Sequence, residues 1–247
     1  MRGFVFQKMK KTLAVILFIC ISAIGVYFYF NSNQEKEQAI NIQTLFSKWD
    51  KGEVKDSEKA DIMNALAESV SKNPQITIKE IEALSNYISV FEADNLRVIQ
   101  YIENPEFYGS SGRESYHVVV HNNQTKMLGS KGSMRIEEII KRDEHLYYVY
   151  ATDYRVSNIT GIQIFSIELD GRTLNRHSLF NKEVLAEKFV YDDKSEILYY
   201  ENGHVYFKEI RDKGNNILIF AGDTDFIMQL SEDGFYLVTP VFEKITE

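Results

Sequence analysis

The chain has 247 residues, 44% of them hydrophobic and 26% charged, with a formal net charge of -8 and one cysteine. The hydrophobic share excludes wholesale disorder, and a single cysteine excludes both a disulfide framework and a zinc site needing two thiolates. The acidic balance argues against a general nucleic-acid binder.

The charge is divided unevenly. Residues 1–30 contain Arg2, Lys8, Lys10 and Lys11 and no acid, a formal +4. The remainder holds 24 basic and 36 acidic side chains, a formal -12. The sign changes at Thr12 to Phe30, nineteen consecutive residues without a charge. At about 1.5 Å per residue this run spans roughly 28 Å as a helix, close to the hydrocarbon thickness of a bilayer. Four basic residues precede it, and Tyr27 to Phe30 supply interfacial aromatic rings at its far end. The sequence therefore predicts a cytoplasmic leader over 1–11 and a transmembrane signal anchor over 12–30, with the rest of the chain extracytoplasmic. Two readings compete with the anchor. Ala23-Ile24-Gly25 has the small residues of a signal-peptide cleavage site, although five more apolar residues follow. Cys20 is a candidate for acylation, although bulky Phe18 and Ile19 precede it.

Outside the anchor a helical segment is expected over 31–92. Leu45, Phe46 and Trp49 have helical spacing, and Trp49, the only tryptophan, is expected in the core. Asp56-Ser57 is a candidate N-cap for a helix carrying Ile62, Met63, Leu66, Ala67 and Val70. Asn73-Pro74 ends it, and Thr77-Ile78-Lys79-Glu80 has the form of a capping box. Ile81, Leu84, Tyr87, Ile88 and Phe91 form a stripe, so residues 57–92 are predicted to be a helical hairpin.

Over 93–247 the period changes to two. Eleven short strands are predicted between residues 96 and 239, with turn residues between them. Asn202-Gly203 is the strongest turn signal, a two-residue hairpin placing Leu198, Tyr200, Val205 and Phe207 on one face. Weak echoes, such as Leu146-Tyr147-Tyr148 with Leu198-Tyr199-Tyr200, recur at 40 to 52 residues. The predicted fold class is α+β: a transmembrane helix, a short helical segment, and a β-rich meander. The meander is read as an open or two-layer antiparallel sheet, or as propeller-like blades.

Motifs of chemistry are sparse. His117 and His121 flank Val118-Val119-Val120. On a strand they point the same way about 13 Å apart, too far for one ion, and both are expected to face the surface. Glu201 and His204 are expected as a cross-strand pair. Ser69-Val70-Ser71-Lys72 matches S-x-x-K without its companion elements. Gly109-Ser110-Ser111-Gly112 and Gly129-Ser130-Lys131-Gly132-Ser133 open no helix, so neither is a phosphate cradle. Asp192-Asp193, Glu196 and Asp223-Thr224-Asp225 are expected to be solvated turn acids rather than a calcium site. Asn123-Gln124-Thr125 and Asn158-Ile159-Thr160 are glycosylation sequons.

No catalytic, cofactor-binding or metal-ligating residue and no cofactor is assigned. Tyrosines crowd the strands, and a one-sided sheet buries only half of them. Tyr147, Tyr199 and Tyr206 are therefore the candidate partner-binding aromatic face. The functional expectation is a single-pass, membrane-anchored extracytoplasmic binding or scaffold protein with a protein or glycan partner. The alternatives are an envelope hydrolase using carboxylates and His117 or His121, and a secreted effector or inhibitor released by cleavage.

Overall fold

A computed structural model describes residues 41–103, 114–128, 133–155, 159–170, 173–180, 189–192, 194, 196–201, 203–211, 216–222, 224–230 and 236–240. The predicted leader, the span 12–30 with Cys20, the loop Gly109–Gly112, most of Gly129–Ser133, and Asn158, Asp193, Asn202 and Asp223 lie outside these residues. Two compact units divide the chain, Met1–Leu45 and Phe46–Glu247. The described part of the first, residues 41–45, is helical. Among the described residues no helix is long and apolar enough to cross a membrane.

Among the described residues three helical segments are present: α1 over 41–49, α2 over Asp56–Lys72 and α3 over Ile78–Glu82. α2 begins at Asp56 itself, so the cap is Lys55, one residue before the predicted N-cap pair. Glu58 reaches back to accept the Lys55 N–H at 3.2 Å, which satisfies a donor that the helix start leaves orphaned. Its apolar stripe, Ile62, Met63, Leu66, Ala67 and Val70, is buried as the spacing predicts. The Thr77–Glu80 capping box forms reciprocally.

The predicted helical hairpin ends early. α3 has only five residues, and Ile88–Ala93 is a strand, β1. Ile81, Leu84, Ile88 and Phe91 fit a helical stripe, but Ile88-Ser89-Val90-Phe91 is also β-branched and aromatic. Pairing decides between the two readings. Asp94, with φ of 54°, closes a two-residue turn that sets Ala93 opposite Leu96 on β2 (Leu96–Ile102). Asp and Asn tolerate this left-handed conformation, so the turn needs no glycine. Asn122, with φ of 52°, turns β3 (Ser115–His121) into β4 (Gln124–Met127) in the same way.

Among the described residues, fourteen strands form three antiparallel sheets rather than one or two. Sheet A is the meander β1-β2-β3-β4. Sheet B contains β5 (Met134–Asp143), β6 (Leu146–Arg155), β7 (Ile159–Asp170), β8 (Thr173–Ser178), β9 (Phe189–Asp192) and β10 (Ile197–Tyr200). Sheet C is the meander β11 (Val205–Arg211), β12 (Asn216–Ala221), β13 (Thr224–Leu230) and β14 (Tyr236–Pro240). In sheet B, β7 divides one edge between two partners: β8 pairs with residues 165–170 and β10 with residues 161–162. Gly161 is required there. A Cβ on it would lie 2.8 Å from the Tyr199 ring, so β10 approaches only a strand that lacks a side chain at this point.

The expected hairpin at Asn202-Gly203 does not form. β10 pairs with β7 and β9, and β11 pairs with β12, leaving one bridge between Tyr200 and Gly203. The turn instead carries the chain from sheet B to sheet C. The predicted common face survives in another form, because Leu198, Tyr200, Val205 and Phe207 all contribute to the core between those sheets. The echoed tyrosine triplets do not mark equivalent strands: β6 and β10 belong to the same sheet.

The sheets are layered. Leu96, Val98 and Val119 of sheet A meet Tyr147, Val149, Phe165 and Ile167 of sheet B in one core. Tyr148, Tyr150, Ile162 and Ile164 of sheet B meet Val205, Ile217, Ile219 and Met228 of sheet C in another. Alternate residues of β6 thus enter opposite cores, the period-two consequence of a strand buried on both faces. Sheet A is covered twice as well: its other face carries Tyr101 and Tyr116 against Trp49.

Candidate functional site

Polar and charged side chains inside an apolar body either join layers or perform chemistry, since burying them unpaired costs free energy. Among the described residues of the Phe46–Glu247 unit, two such clusters link sheet A to the layers on either side of it.

The first lies between the helices and sheet A. Lys59 of α2 is 1% exposed, and its Nζ contacts Glu103 Oε1 at 2.5 Å and Asp56 Oδ1 at 2.7 Å. Glu103, also 1% exposed, accepts the Trp49 indole N–H at 3.2 Å. Trp49 stacks on Tyr101 with centroids 4.1 Å apart and meets Tyr116 edge-on at 5.1 Å. Asp50 completes the group, accepting the Ser85 hydroxyl at 2.7 Å and the Tyr101 hydroxyl at 2.9 Å. Burial, reinforced by Asp50, holds the Tyr101 hydroxyl far above the ordinary phenol range, so it remains a donor. The expectation that Trp49 packs in the core holds. Sequence reasoning missed Lys59: a lysine inside an amphipathic helix normally reads as solvated, and only its position on the apolar stripe, three residues before Ile62, marked it.

The second cluster joins sheets A and B. Gln100 of β2, 1% exposed, presents Oε1 to the Ile136 N–H of β5 at 2.7 Å. The same oxygen accepts the Nε2 proton of His117 at 3.0 Å. Ser115 donates its hydroxyl to the Met134 carbonyl at 2.6 Å. These side chains complete backbone groups of β5, whose ladder runs to β6. His117 is 3% exposed, not surface-facing as expected. Its strand supplies side chains to both covered faces of sheet A, so neither parity reaches water. Burial, aided by the Arg176 cation and opposed by the Met134 backbone, lowers its pKa from 6.5 to about 3. The imidazole is neutral at physiological pH. His121, at the end of the strand, is half-buried.

Neither cluster sets a nucleophile against a base. The buried imidazole faces an amide, Ser115 donates to a carbonyl, and Lys59 is held by two carboxylates. Among the described residues no three His, Cys, Asp or Glu side chains group as metal ligands. The turn acids have other partners: Glu196 pairs with Arg176 at 2.5 Å, Asp225 with Lys208 at 2.7 Å, and Asp192 accepts the Lys194 N–H at 3.0 Å. His204 meets Thr160 at 3.3 Å, in place of the expected contact with Glu201.

The three candidate tyrosines do not share a surface. Tyr147, 1% exposed, is in the core between sheets A and B. Tyr199 is half-buried against Gly161. Tyr206, 40% exposed, points away from the core on sheet C and lies 5.2 Å from Phe220. Their dispersal follows from the double burial of sheet B, which the one-sided premise left out. Comparison of the chain with protein-family models, with curated proteins and with solved structures finds no match.

Proposed function

We propose that the protein is a single-pass, membrane-anchored extracytoplasmic binding or scaffold protein. The observation that carries this reading is the charge-free run 12–30 behind a +4 leader, followed by a remainder of formal charge -12. The layered β body is compatible with a binding role, because its buried polar groups are engaged in joining layers while an aromatic pair remains at its surface. Sheets A and C, each a four-strand meander, are also the kind of unit from which propeller blades are built.

Topology fusions test the reading directly. A reporter active only outside the cytoplasm is expected to be active when fused after Glu247 and inactive after Lys11. The mature membrane protein is expected to retain residues 12–30 by mass spectrometry. A mature start at Val26, or an inactive fusion after Glu247, overturns the anchor.

A further inference from the structure

We infer that the outer face of sheet C is a self-association surface, by which two copies of this chain pack sheet against sheet. The inner face of sheet C is fixed by Val205, Ile217, Ile219, Phe226 and Met228 in the core. Strand alternation therefore turns Tyr206, Leu218, Phe220 and Ile227 outward. The ladder sets them side by side: Tyr206 opposite Phe220, and Leu218 opposite Ile227. Tyr206 is exposed, and the other three retain partial exposure. At the other end of the layer order, sheet A has aromatic contacts with the helices, and each inner sheet face is covered by a neighbouring sheet. The outer face of sheet C is apolar at these four positions, with exposed Glu209 of β11 opposite Leu218.

The charges around this face point to a second copy as the occupant. Lys208 lies on β11, at the bulge, and Asp225 on β13, on opposite sides of the central strand β12. A two-fold axis along β12 lays β11 of one copy across β13 of the other. This brings Lys208 of each copy to Asp225 of its mate, twice, around an apolar centre. Such self-complementarity is what an isologous interface requires, and a face bearing one sign of charge would lack it. Lys208 and Asp225 already pair within the chain at 2.7 Å, so each ion has its counter-charge in the monomer and exchanges or shares it in the dimer.

The size of the face sets the strength. The axis overlaps three strands of each copy, β11 to β13, at about 4.8 Å spacing and six to seven residues long, a patch roughly 14 by 20 Å. That is below the roughly 800 Å² per partner of a standard stable interface. The contact is therefore weak and reversible, and confinement to a membrane, under the anchor reading, would favour it by raising local concentration.

The chain's single cysteine, Cys20, permits a clean test. In a full-length Cys20→Ser background, Leu218→Cys is treated in intact cells with a bismaleimide spanning about 10 Å, the spacing of packed sheets. The same is done with purified full-length protein at high concentration. Val190→Cys, exposed on β9, is the control. The expected result is a dimer band several-fold stronger from Leu218→Cys than from Val190→Cys, lost when Phe220→Asp is added. Phe220→Asp is expected to leave the thermal midpoint within a few degrees, because the side chain faces outward. Equal crosslinking at both sites, no crosslinking in either setting, or a dimer indifferent to Phe220→Asp overturns the proposal. Failure of the anchor is read separately, as protein released into the medium.

Discussion

The two seams that flank sheet B are built differently. The seam with sheet C is almost entirely apolar, with Ile162, Ile164, Leu198, Val205, Ile219 and Met228 at its centre and Thr160 bonding the Val205 carbonyl at its rim. The seam with sheet A has an apolar core as well, but it is also stitched by Gln100, Ser115 and His117 to backbone groups of β5. Apolar burial is strong and non-directional, and it tolerates sliding. Buried hydrogen bonds add less net free energy, but a misaligned register leaves donors unsatisfied at the full desolvation penalty. Sheet C is therefore attached by area, and sheet A by area plus register.

The largest expected effect lies beyond both seams, on the helical cover of sheet A. Lys59→Met leaves Glu103 buried without its cation and should cost about 3–5 kcal/mol in chemical denaturation. Adding Glu103→Leu should recover most of that loss, because a well-packed apolar pair often equals a buried ion pair. If the double variant is as unstable as the single, the pair acts through something other than the uncompensated charge.

On the apolar seam, Ile219→Ala should cost about 2–5 kcal/mol by cavity formation. The loss should be nearly independent of pH across the acidic to neutral range, since no carboxylate, imidazole or amine belongs to that core. On the stitched seam, Gln100→Leu keeps the volume but strands the Ile136 N–H and His117, and should cost roughly 1–3 kcal/mol. Hydrogen exchange sharpens the contrast: the Ile136 amide should lose protection in Gln100→Leu and retain much of it in Ile219→Ala.

The subtlest difference is in pH dependence. The unfolded chain protonates His117 near 6.5, whereas the folded chain resists until about 3. Between these values the unfolded state binds more protons, so stability rises with pH. The His117 contribution is complete above about 6.5 and is lost as pH falls toward 3, with a slope approaching ~1.4 kcal/mol per pH unit. Urea midpoints of the wild type and of His117→Leu, taken across that window, should converge as the pH is lowered. Parallel curves would show that His117 titrates normally in the fold.

Much of the architecture was legible in the sequence. Period-two patterning located most strands, the capping box Thr77–Glu80 formed as read, and the apolar stripe of α2 is buried. The errors have specific causes. β1 reads as helix in the sequence because Ile81, Leu84, Ile88 and Phe91 satisfy both periods over a short span, and only pairing with β2 resolves that. Asn202-Gly203 had the best local turn chemistry, but the edge of β7, 40 residues earlier, captured β10. Tyr147 and His117 depart from expectation for one reason: alternation shows which residues share a face, not whether another layer covers it. Gln100 and Lys59 carried no motif at all, since their roles exist only once β5 and β2 have been brought to them.

The divided edge of β7 also bears on how the chain finds its fold. β8 reaches its half of that edge across a short turn, whereas β10 pairs Leu198 with Ile162 across about 36 residues. Closing the longer loop carries the greater entropic cost, so the β7–β8 ladder can form before β9–β10 arrives. Sheet C follows β10 in the chain, and Tyr200 contributes to its core. Its strands can pair among themselves at any time, but they gain their place on sheet B only after β10 has docked. Gly161, by admitting β10, thereby sets when the last fifth of the chain joins the rest.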